Sequence, residues 1–484
     1  MQSESAYAVM IGTYAFMQAV VAATGLVRNK VIALRLGPSA LGEVAQLGAV
    51  VASVVAIVTF GMQVSLSRNV ARATTVEERQ SYLSNANGLV VSLSLVATAA
   101  MLALLVNGNL LTVVGLPVDP DVAVAAALFL VAIPLLALQT NYLAFLAGLL
   151  DVKGLARQRS LAVLVATAIS VPIVWIFGLV GAAATFVIVN GLLALLLGLR
   201  CRAIGYQWLG LRLDRRIVAV LAGFGLVSMA SGFAQSFADA AIRASLLKQF
   251  GADANGLLQA PLVLAGTLQA IVLGSIGSIS LATISGASST EGMRESIDRL
   301  LNVAIPLSTV ALGLLGLLGV PAMVLLYSQA FTDSASLFTW ILAADLVMAF
   351  TWVVGAPLLA SGDRFVWLVL ELTYAASRWV VSVALLPQYG SVAVGIGLLL
   401  AGLLHLVLNL GAIRLLYRIE VGWRHLVALV VGVATVSSLA FVGAGWTASV
   451  PLLVAGAGVW LASALYVLRS IPILAQVRSM FPRR

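Results

Sequence analysis

The chain has 484 residues, of which 62% are hydrophobic and 9% are charged, with a mean hydropathy of +1.09 and a formal net charge of +9. Apolar runs extend through the whole sequence, which excludes a water-soluble globular domain and indicates an all-α polytopic membrane protein. With two histidines and a single cysteine, Cys201, the sequence offers neither a His/Cys zinc cluster nor an intrachain disulfide. Because the basic residues are scattered over short loops, we expect anionic membrane lipids rather than nucleic acid as their partners.

Fourteen stretches are long and apolar enough to cross about 30 Å of hydrocarbon. No Lys or Arg precedes the first stretch and no cleavage pattern follows it, so we interpret it as a retained membrane helix. No connection is longer than roughly twenty residues, which leaves no soluble catalytic domain. The predicted spans are 7–33, 41–63, 87–106, 122–149, 160–177, 180–199, 217–240, 256–280, 300–327, 337–360, 365–387, 391–413, 424–444 and 449–468.

The cations set the predicted orientation. If the N-terminus is inside, 21 of the 27 Lys and Arg residues fall in the C-terminal tail or in loops on that side. The positive-inside rule therefore predicts that both termini are cytoplasmic. The six exceptions are Arg378, inside span 11, and five residues at the far ends of spans 1 and 7: Arg28, Lys30, Arg35, Arg243 and Lys248.

Three pairs of motifs indicate an internal duplication, because all three are separated by nearly the same interval. LGPSALG at 36–42 matches FGADANG at 250–256, AFLAGLLD at 144–151 matches APLLASGD at 356–363, and FGLVGAAA at 177–184 matches YGSVAVGI at 389–396. Six crossings per repeat give both halves one orientation, related by an axis along the membrane normal. The predicted divisions are an N-lobe at 1–212, a C-lobe at 213–423, and an accessory pair of helices with a basic cytoplasmic tail at 424–484.

The displaced cations predict a site for an anionic substrate. A cation on a membrane helix is costly unless it snorkels, pairs or faces a wet cavity, and here cations lie at matching helix ends in both repeats. Arg28 and Arg35 are seven residues apart and share a helix face, whereas Lys30 points elsewhere. We therefore expect Arg28 to be the main ligand in the first half. The alternative, that these side chains only reach outer head groups, stays open.

Acidic residues inside the predicted spans are candidates for coupling transport to H⁺ or Na⁺. Asp239 precedes Arg243 by four residues, which also favours a structural ion pair. Glu371 and Arg378 share one helix face, and Asp345 is alone in span 10. We include Arg378 among the candidate substrate ligands.

Neutral polar residues give weaker signals. Gln46 and Gln259, in spans 2 and 8, have side chains that can bind sugar hydroxyls or bridge helices. His405 and Asn409 in span 12 are interpreted as interhelical contacts, and His425 as a residue at the membrane surface.

Motifs for catalysis are scarce. Asp119-Pro120-Asp121 has the D-x-D form of a metal motif in sugar transferases, but the proline and the apolar stretch that follows favour a helix cap. The glycine-rich stretches do not form a P-loop. We predict neither a catalytic residue, a metal site nor a cofactor, apart from a coupling ion.

The stretch RNKVIALRLG at 28–37, followed by PSALGEVAQ, resembles the first-helix signature of a transporter family. This family is the polysaccharide-transporter branch of the multidrug/oligosaccharidyl-lipid/polysaccharide flippase superfamily, and the closest resemblance is to O-antigen translocases. The resemblance covers residues 1 to about 417. Family members with twelve helices lack the last two spans predicted here, and spans 1 and 7 fit relatives that move lipid II equally well.

The resemblance implies two six-helix lobes that form a V around a cationic cavity, with Arg28 contacting substrate and Arg243 as its counterpart. It implies a flippase that moves an undecaprenyl-diphosphate-linked oligosaccharide, an O-antigen repeat unit for lipopolysaccharide, across a bacterial inner membrane. Alternating access, coupled to an ion or to the membrane potential, and contact with a polysaccharide polymerase are further implications. Alternatives are a cation-coupled multidrug exporter of the same superfamily and an integral-membrane glycosyltransferase or ligase.

Overall fold

Helices are the only regular elements in the part of the chain that the computed structural model describes, which is residues 4–285, 289–445 and 450–470. A 3₁₀ helix at Gln329–Leu337 separates α10 from α11. The α-helices are α1 Glu4–Val58, α2 Met62–Arg72, α3 Val76–Val106, α4 Asn109–Val114, α5 Pro120–Val131, α6 Ile133–Gly148, α7 Val152–Ala203, α8 Arg215–Ser285, α9 Thr290–Leu317, α10 Gly319–Leu326, α11 Phe338–Ser361, α12 Arg364–Tyr389, α13 Val392–Tyr417, α14 Trp423–Ala444 and α15 Val450–Ser470.

The three longest helices, α1, α7 and α8, each contain one non-helical glycine: Gly37, Gly178 and Gly251. Their φ angles of 78°, 58° and 80° lie in the left-handed region, which glycine enters without the penalty that a Cβ imposes. Each of these helices therefore carries two of the predicted spans. Proline follows Gly37 directly, so the helix restarts at a residue that suits a first turn.

The predicted all-α membrane fold is confirmed, and each of the fourteen predicted spans falls on one helix or on consecutive helices. Within the described residues, nine helices are long and apolar enough to cross a membrane, or ten if the bent pair in α8 counts as one span. This count is lower than fourteen because α1 and α7 each count once where the sequence predicts two spans, because the bent pair in α8 is counted apart, and because the apolar stretch Leu453–Leu465 of α15 is too short. The protein is a multi-pass membrane protein.

By internal contacts the chain divides into two compact units, residues 1–256 and 257–484. Unit 1 therefore includes the first part of α8 together with α1 to α7. This boundary follows contacts, whereas the predicted divisions after residues 212 and 423 follow the sequence repeat, and those divisions stay predictions.

The backbone repeats at the spacing of the three sequence motifs. Gly37 and Gly251, from the first pair of motifs, have ψ angles of −171° and 178° at similar positive φ. In the third pair of motifs, Gly178 (φ 58°) corresponds to Gly390 (φ 55°). In the second pair, Leu150 (φ 56°) corresponds to Gly362 (φ 85°). Equal turns at equivalent positions support the duplication.

The first pair of motifs meets inside unit 1. A Cβ on Gly42 would overlap the carbonyl oxygen of Ala252, and a Cβ on Gly256 would overlap that of Pro38. The Asn255 Nδ2 donates a hydrogen bond to the Gly42 carbonyl at 2.7 Å. Small residues let the two backbones approach closely, the usual way in which helices associate where lipid provides no hydrophobic drive.

In unit 2, α14 is part of the packed structure. It packs against α9 and α11, and a Cβ on Gly443 would overlap the carbonyl oxygen of Gly316. In α15, the indole N–H of Trp460 donates to the carbonyl of Val310 in α9 at 2.9 Å. The two accessory helices are thus fixed to unit 2 through α9.

Candidate functional site

The predicted cationic face of α1 is present in unit 1. Arg28 Nη1 donates to Thr167 Oγ1 at 2.9 Å, and Arg35 Nε donates to the Trp175 carbonyl at 3.4 Å. The Arg35 guanidinium also lies 6.0 Å from the centre of the Trp175 ring. Both partners belong to the first part of α7, so the two arginines do share one face, as their seven-residue spacing predicts.

Arg28 keeps its charge without an acidic partner. It is partly buried within the span Phe16–Val58, and its hydrogen-bond acceptor is the neutral hydroxyl of Thr167. Among the described residues, none of the ion pairs involves Arg28 or Arg35. A cation on a membrane-spanning helix that is not neutralised is expensive unless it faces water or an anion. Arg28 is therefore the first candidate for an anion ligand in unit 1.

Arg243 has different surroundings. It is 5% exposed, with Nε 3.0 Å from Asp239 Oδ2 and Nη1 3.0 Å from Asn255 Oδ1. Through Asn255 this network reaches the Gly42 carbonyl. The i,i+4 ion pair expected from the sequence forms, and the contact with Asn255 ties α8 across its glycine break.

Arg28 and Arg243 are not at equivalent positions in the two repeats. Arg28 lies nine residues before Gly37, whereas Arg243 lies eight residues before Gly251. One residue in a helix is a rotation of about 100°, so the two side chains leave their helices in different directions. Both residues lie in unit 1. Their roles in substrate binding stay predictions.

The remaining candidates in the first repeat and in α8 are scattered. Lys30 is partly buried and Lys248 is exposed beside Gly115. Gln46 is 0% exposed, and its Nε2 donates to the carbonyls of Val114 and Ala240, so in this conformation it bridges helices. Gln259 is partly buried in the second part of α8, within unit 2.

Unit 2 contains a cavity of about 880 Å³ between α8, α11, α12 and α13. It brings together three of the predicted candidates, Asp345 from α11 with Glu371 and Arg378 from α12. Other polar groups lining the cavity are Gln269, His405 and Asn409, and the aromatic side chains are Trp352, Trp367 and Tyr374.

The ionisable groups of this cavity interact with one another. His405 Nε2 lies 3.7 Å from Glu371 Oε1, and the Arg378 guanidinium lies 5.9 Å from the centre of the Tyr374 ring. Two buried atoms, Asp345 Oδ2 and His405 Nδ1, have no hydrogen-bond partner among the described residues. Buried polar atoms are normally paired, so these two mark positions where a ligand, proton or water belongs.

The sequence prediction missed His405 and Asn409 as cavity residues and did not single out Trp352, Trp367 or Tyr374. A signal was available in α12, where Trp367, Glu371, Tyr374 and Arg378 follow one another at steps of four, three and four residues. That stripe makes α12 the least apolar of the nine candidate spans found in the described residues, with a hydropathy of 1.4. A polar stripe along a membrane helix indicates a lined cavity.

Asp119 is a helix cap, as its sequence favours. Its Oδ1 accepts the Asp121 backbone N–H at 2.8 Å, and Pro120 begins α5. No group of three or more potential metal ligands occurs among the described residues.

No protein-family model and no curated protein sequence matches the chain. Solved structures do match its fold. The lipid II flippase MurJ in an inward closed conformation aligns with a TM-score of 0.72 and 11% identity, over 94% of this chain and 98% of that chain. A multidrug resistance MATE family transporter of the MOP superfamily, in an inward-facing conformation, aligns with a TM-score of 0.66 and 15% identity, over 88% and 98%.

A third match is a MOP superfamily transporter from Pyrococcus furiosus, for which a reversed polarity of the binding pocket suggests a different function. It aligns with a TM-score of 0.61 and 15% identity, over 89% of this chain and 96% of that chain. The chain therefore has the fold of MATE and MurJ transporters over nearly its whole length.

Proposed function

We propose that this protein is a flippase that moves a lipid-linked oligosaccharide, carried on undecaprenyl diphosphate, from the cytoplasmic to the outer leaflet by alternating access. The observation that carries the proposal is Arg28. It is a cation within a membrane-spanning helix whose only described partner is the neutral hydroxyl of Thr167. Arg35, farther along the same face, extends the positive charge.

The chemistry of such a substrate fits this arrangement. A diphosphate that bears sugars does not cross hydrocarbon unaided, because desolvating each charge costs several kcal/mol or more. A guanidinium group binds phosphate oxygens with two parallel hydrogen bonds, and the apolar lipid tail stays in the bilayer. The likeness in fold to a lipid II flippase supports the same class of substrate.

Two sources of free energy are available for net transport. With a negative interior, outward movement of an anion gains about 2.3 kcal/mol per charge per 100 mV. Countertransport of H⁺ or Na⁺ provides a second source, with Asp345 and Glu371 in the unit 2 cavity as the first candidates and Asp239 as the third. Asp239 ranks lower because it pairs with Arg243.

The proposed setting is a bacterial inner membrane with both termini in the cytoplasm. Anionic lipids would contact the cytoplasmic arginines, and a polysaccharide polymerase would act on the product at the other face. An O-antigen repeat unit is the proposed cargo.

Reconstitution in liposomes tests the function. A fluorescent undecaprenyl-diphosphate oligosaccharide and a fluorescent cationic drug are followed side by side, with and without an imposed potential, for the wild type, Arg28→Ala and Arg299→Ala. Arg299, whose side chain is 72% exposed, is the matched control. We expect glycolipid transport that responds to the potential, is strongly slowed in Arg28→Ala and is unchanged in Arg299→Ala.

A cation-coupled drug exporter is the second candidate. The unit 2 cavity favours it, because two carboxylates beside three aromatic side chains can hold an aromatic cation. Movement of the drug alone in the liposome experiment would establish the exporter and remove the flippase. A sugar transferase or ligase has less support, because Asp119 serves as a helix cap.

A further inference from the structure

The cavity of unit 2 is polar at several positions where the first repeat is apolar. At the interval set by the Gly178/Gly390 and Leu150/Gly362 pairs, five polar cavity positions have core counterparts in unit 1 that are at most 8% exposed. Asp345, Tyr374, Arg378, His405 and Asn409 correspond in this order to Ile133, Ala162, Ala166, Leu193 and Leu197.

At these five positions the fold does not require a polar side chain, because unit 1 has small or aliphatic residues there. Glu371 differs from them, because it corresponds to the partly buried Arg159, so that position is polar in both units. Polar groups placed inside membrane helices cost free energy and mark function. The lining of the cavity indicates which kind of ligand it suits.

The aromatic side chains give the cavity flat apolar surfaces. Trp367 and Tyr374 lie on the same face of α12, and Trp352 lies on α11. Indole and phenol rings combine an apolar body with a polar edge, so they bind ligands that have both apolar C–H faces and polar rims. A sugar ring has this character.

The polar side chains include both donors and acceptors. Asp345 and Glu371 accept hydrogen bonds, Gln269 and Asn409 do both, and a neutral His405 does both as well. Arg378 offsets one of the two carboxylates, so the lining carries at most one net negative charge. An anionic diphosphate gains little here, whereas a neutral polyhydroxyl ligand can use both the donors and the acceptors.

We propose that the unit 2 cavity binds a sugar residue of the transported glycan, which stacks on Trp367 and hydrogen-bonds to Glu371 and Asp345. Its volume of about 880 Å³ is within the size of small-molecule sites, about 300–1,000 Å³. Asp345 Oδ2 and His405 Nδ1 have no hydrogen-bond partner among the described residues, and sugar hydroxyls would hydrogen-bond to both atoms. The proposal rests on the proposed function and adds the step that selects the glycan.

The test compares two substrates in liposomes: undecaprenyl diphosphate that carries one N-acetylglucosamine, and the same lipid without sugar. The rates are measured for the wild type and for Trp367→Ala, Glu371→Gln and Trp379→Ala. Trp379 is the matched control, because it is on the same helix, is 40% exposed and is not among the residues that line the cavity. A parallel experiment titrates the purified wild type and variants with free N-acetylglucosamine, glucose and rhamnose and follows tryptophan fluorescence.

We expect the wild type to prefer the sugar-bearing lipid and Trp367→Ala to lose about tenfold of that preference, the size of one aromatic contact. Glu371→Gln should lower the preference as well, with Trp379→Ala unchanged. Arg28→Ala should lower the transport rate of both lipids by the same factor, because both carry the diphosphate. An equal effect on the two rates distinguishes the anion site from the sugar site. Equal rates for the two lipids in the wild type, or an unchanged preference in both cavity variants, would overturn the sugar site and leave the flippase standing.

The fluorescence titration measures sugar binding without transport, so it tests the sugar site even if the flippase proposal fails. If the wild type moves neither lipid but binds a free sugar in a manner that depends on Trp367, the flippase is wrong and the sugar site stands. If no free sugar changes the fluorescence and neither lipid moves, both proposals fail.

Discussion

The two repeats share a backbone but differ in where they keep their polar groups. In unit 1 the cations lie on α1, facing α7, and the interior behind them is filled by residues such as Ala166 and Leu197. In unit 2 the corresponding interior is a cavity lined by Arg378 and Asn409. The two regions thus share positive-φ turns at equivalent positions, whereas the interior side chains at several equivalent positions differ in chemistry.

The largest effect should come from the contact between the two glycine motifs. In Gly256→Ala the new Cβ overlaps a backbone carbonyl, as it does in Gly42→Ala, and backbone moves less readily than a side chain. We expect each variant to lose about 3 kcal/mol or more of stability, at the upper end of overpacking. Thermal unfolding of the purified protein measures the loss.

Gly48→Ala, in the same helix as Gly42 but with open space around its Cβ, is the control and should be neutral or slightly stabilising. If only one of the two glycine variants is destabilised, the motifs are not equivalent and the comparison between the repeats weakens.

The second effect concerns the charge on α1. Arg28→Ala should slow glycolipid transport roughly thirty-fold, about 2 kcal/mol, because a charged contact to the substrate is lost. Arg28→Lys should recover only part of the rate, since an ammonium group lacks the planar pair of donors. Transport rates in liposomes, with protein content matched, measure both. Full activity in Arg28→Lys would mean that charge alone suffices, and full activity in Arg28→Ala would remove the anion site.

The third effect is on stability, when an apolar residue of unit 1 and the polar residue at the corresponding position of unit 2 are each replaced by the other type. Leu197→Asn places a polar amide at a position of unit 1 that is 0% exposed and should cost about 2 kcal/mol. Asn409→Leu, at the corresponding position of unit 2, should cost less than about 1 kcal/mol, because Asn409 lines a cavity. Unfolding midpoints of the two variants give the comparison. Equal losses would show that the polar lining of unit 2 is part of its stabilising core.

The smallest effect should be on coupling. If Asp345 carries the coupling ion, Asp345→Asn should lose the severalfold increase in transport rate that an imposed H⁺ or Na⁺ gradient gives, measured against the rate of the same variant without a gradient. Asp333→Asn, at an exposed position of the 3₁₀ helix, is the control. An increase retained in Asp345→Asn would exclude this residue and leave Glu371 as the candidate in the cavity.

Some of the contacts made by these residues could be predicted from the sequence, and others could not. The spacing of Arg28 and Arg35, and of Asp239 and Arg243, predicted shared helix faces, because side chains on one helix follow a fixed geometry. The partners in space lie elsewhere: Thr167, which pairs with Arg28, is on α7, and Asn255, which pairs with Arg243, is in α8 beyond the break at Gly251. No periodicity along one helix reports such a contact.

By itself, the sequence determined the membrane class and the helical fold, and it predicted the duplication. These follow from the cost of burying charge and unpaired backbone in lipid, which every stretch of chain must satisfy locally. The tertiary structure alone decided that Gln46 bridges helices, that Arg243 is buried in a network, and that His405 and Asn409 join Asp345 and Glu371 around one cavity. Such groupings depend on how helices rotate and pack against one another, and that is settled by side-chain fit between distant segments.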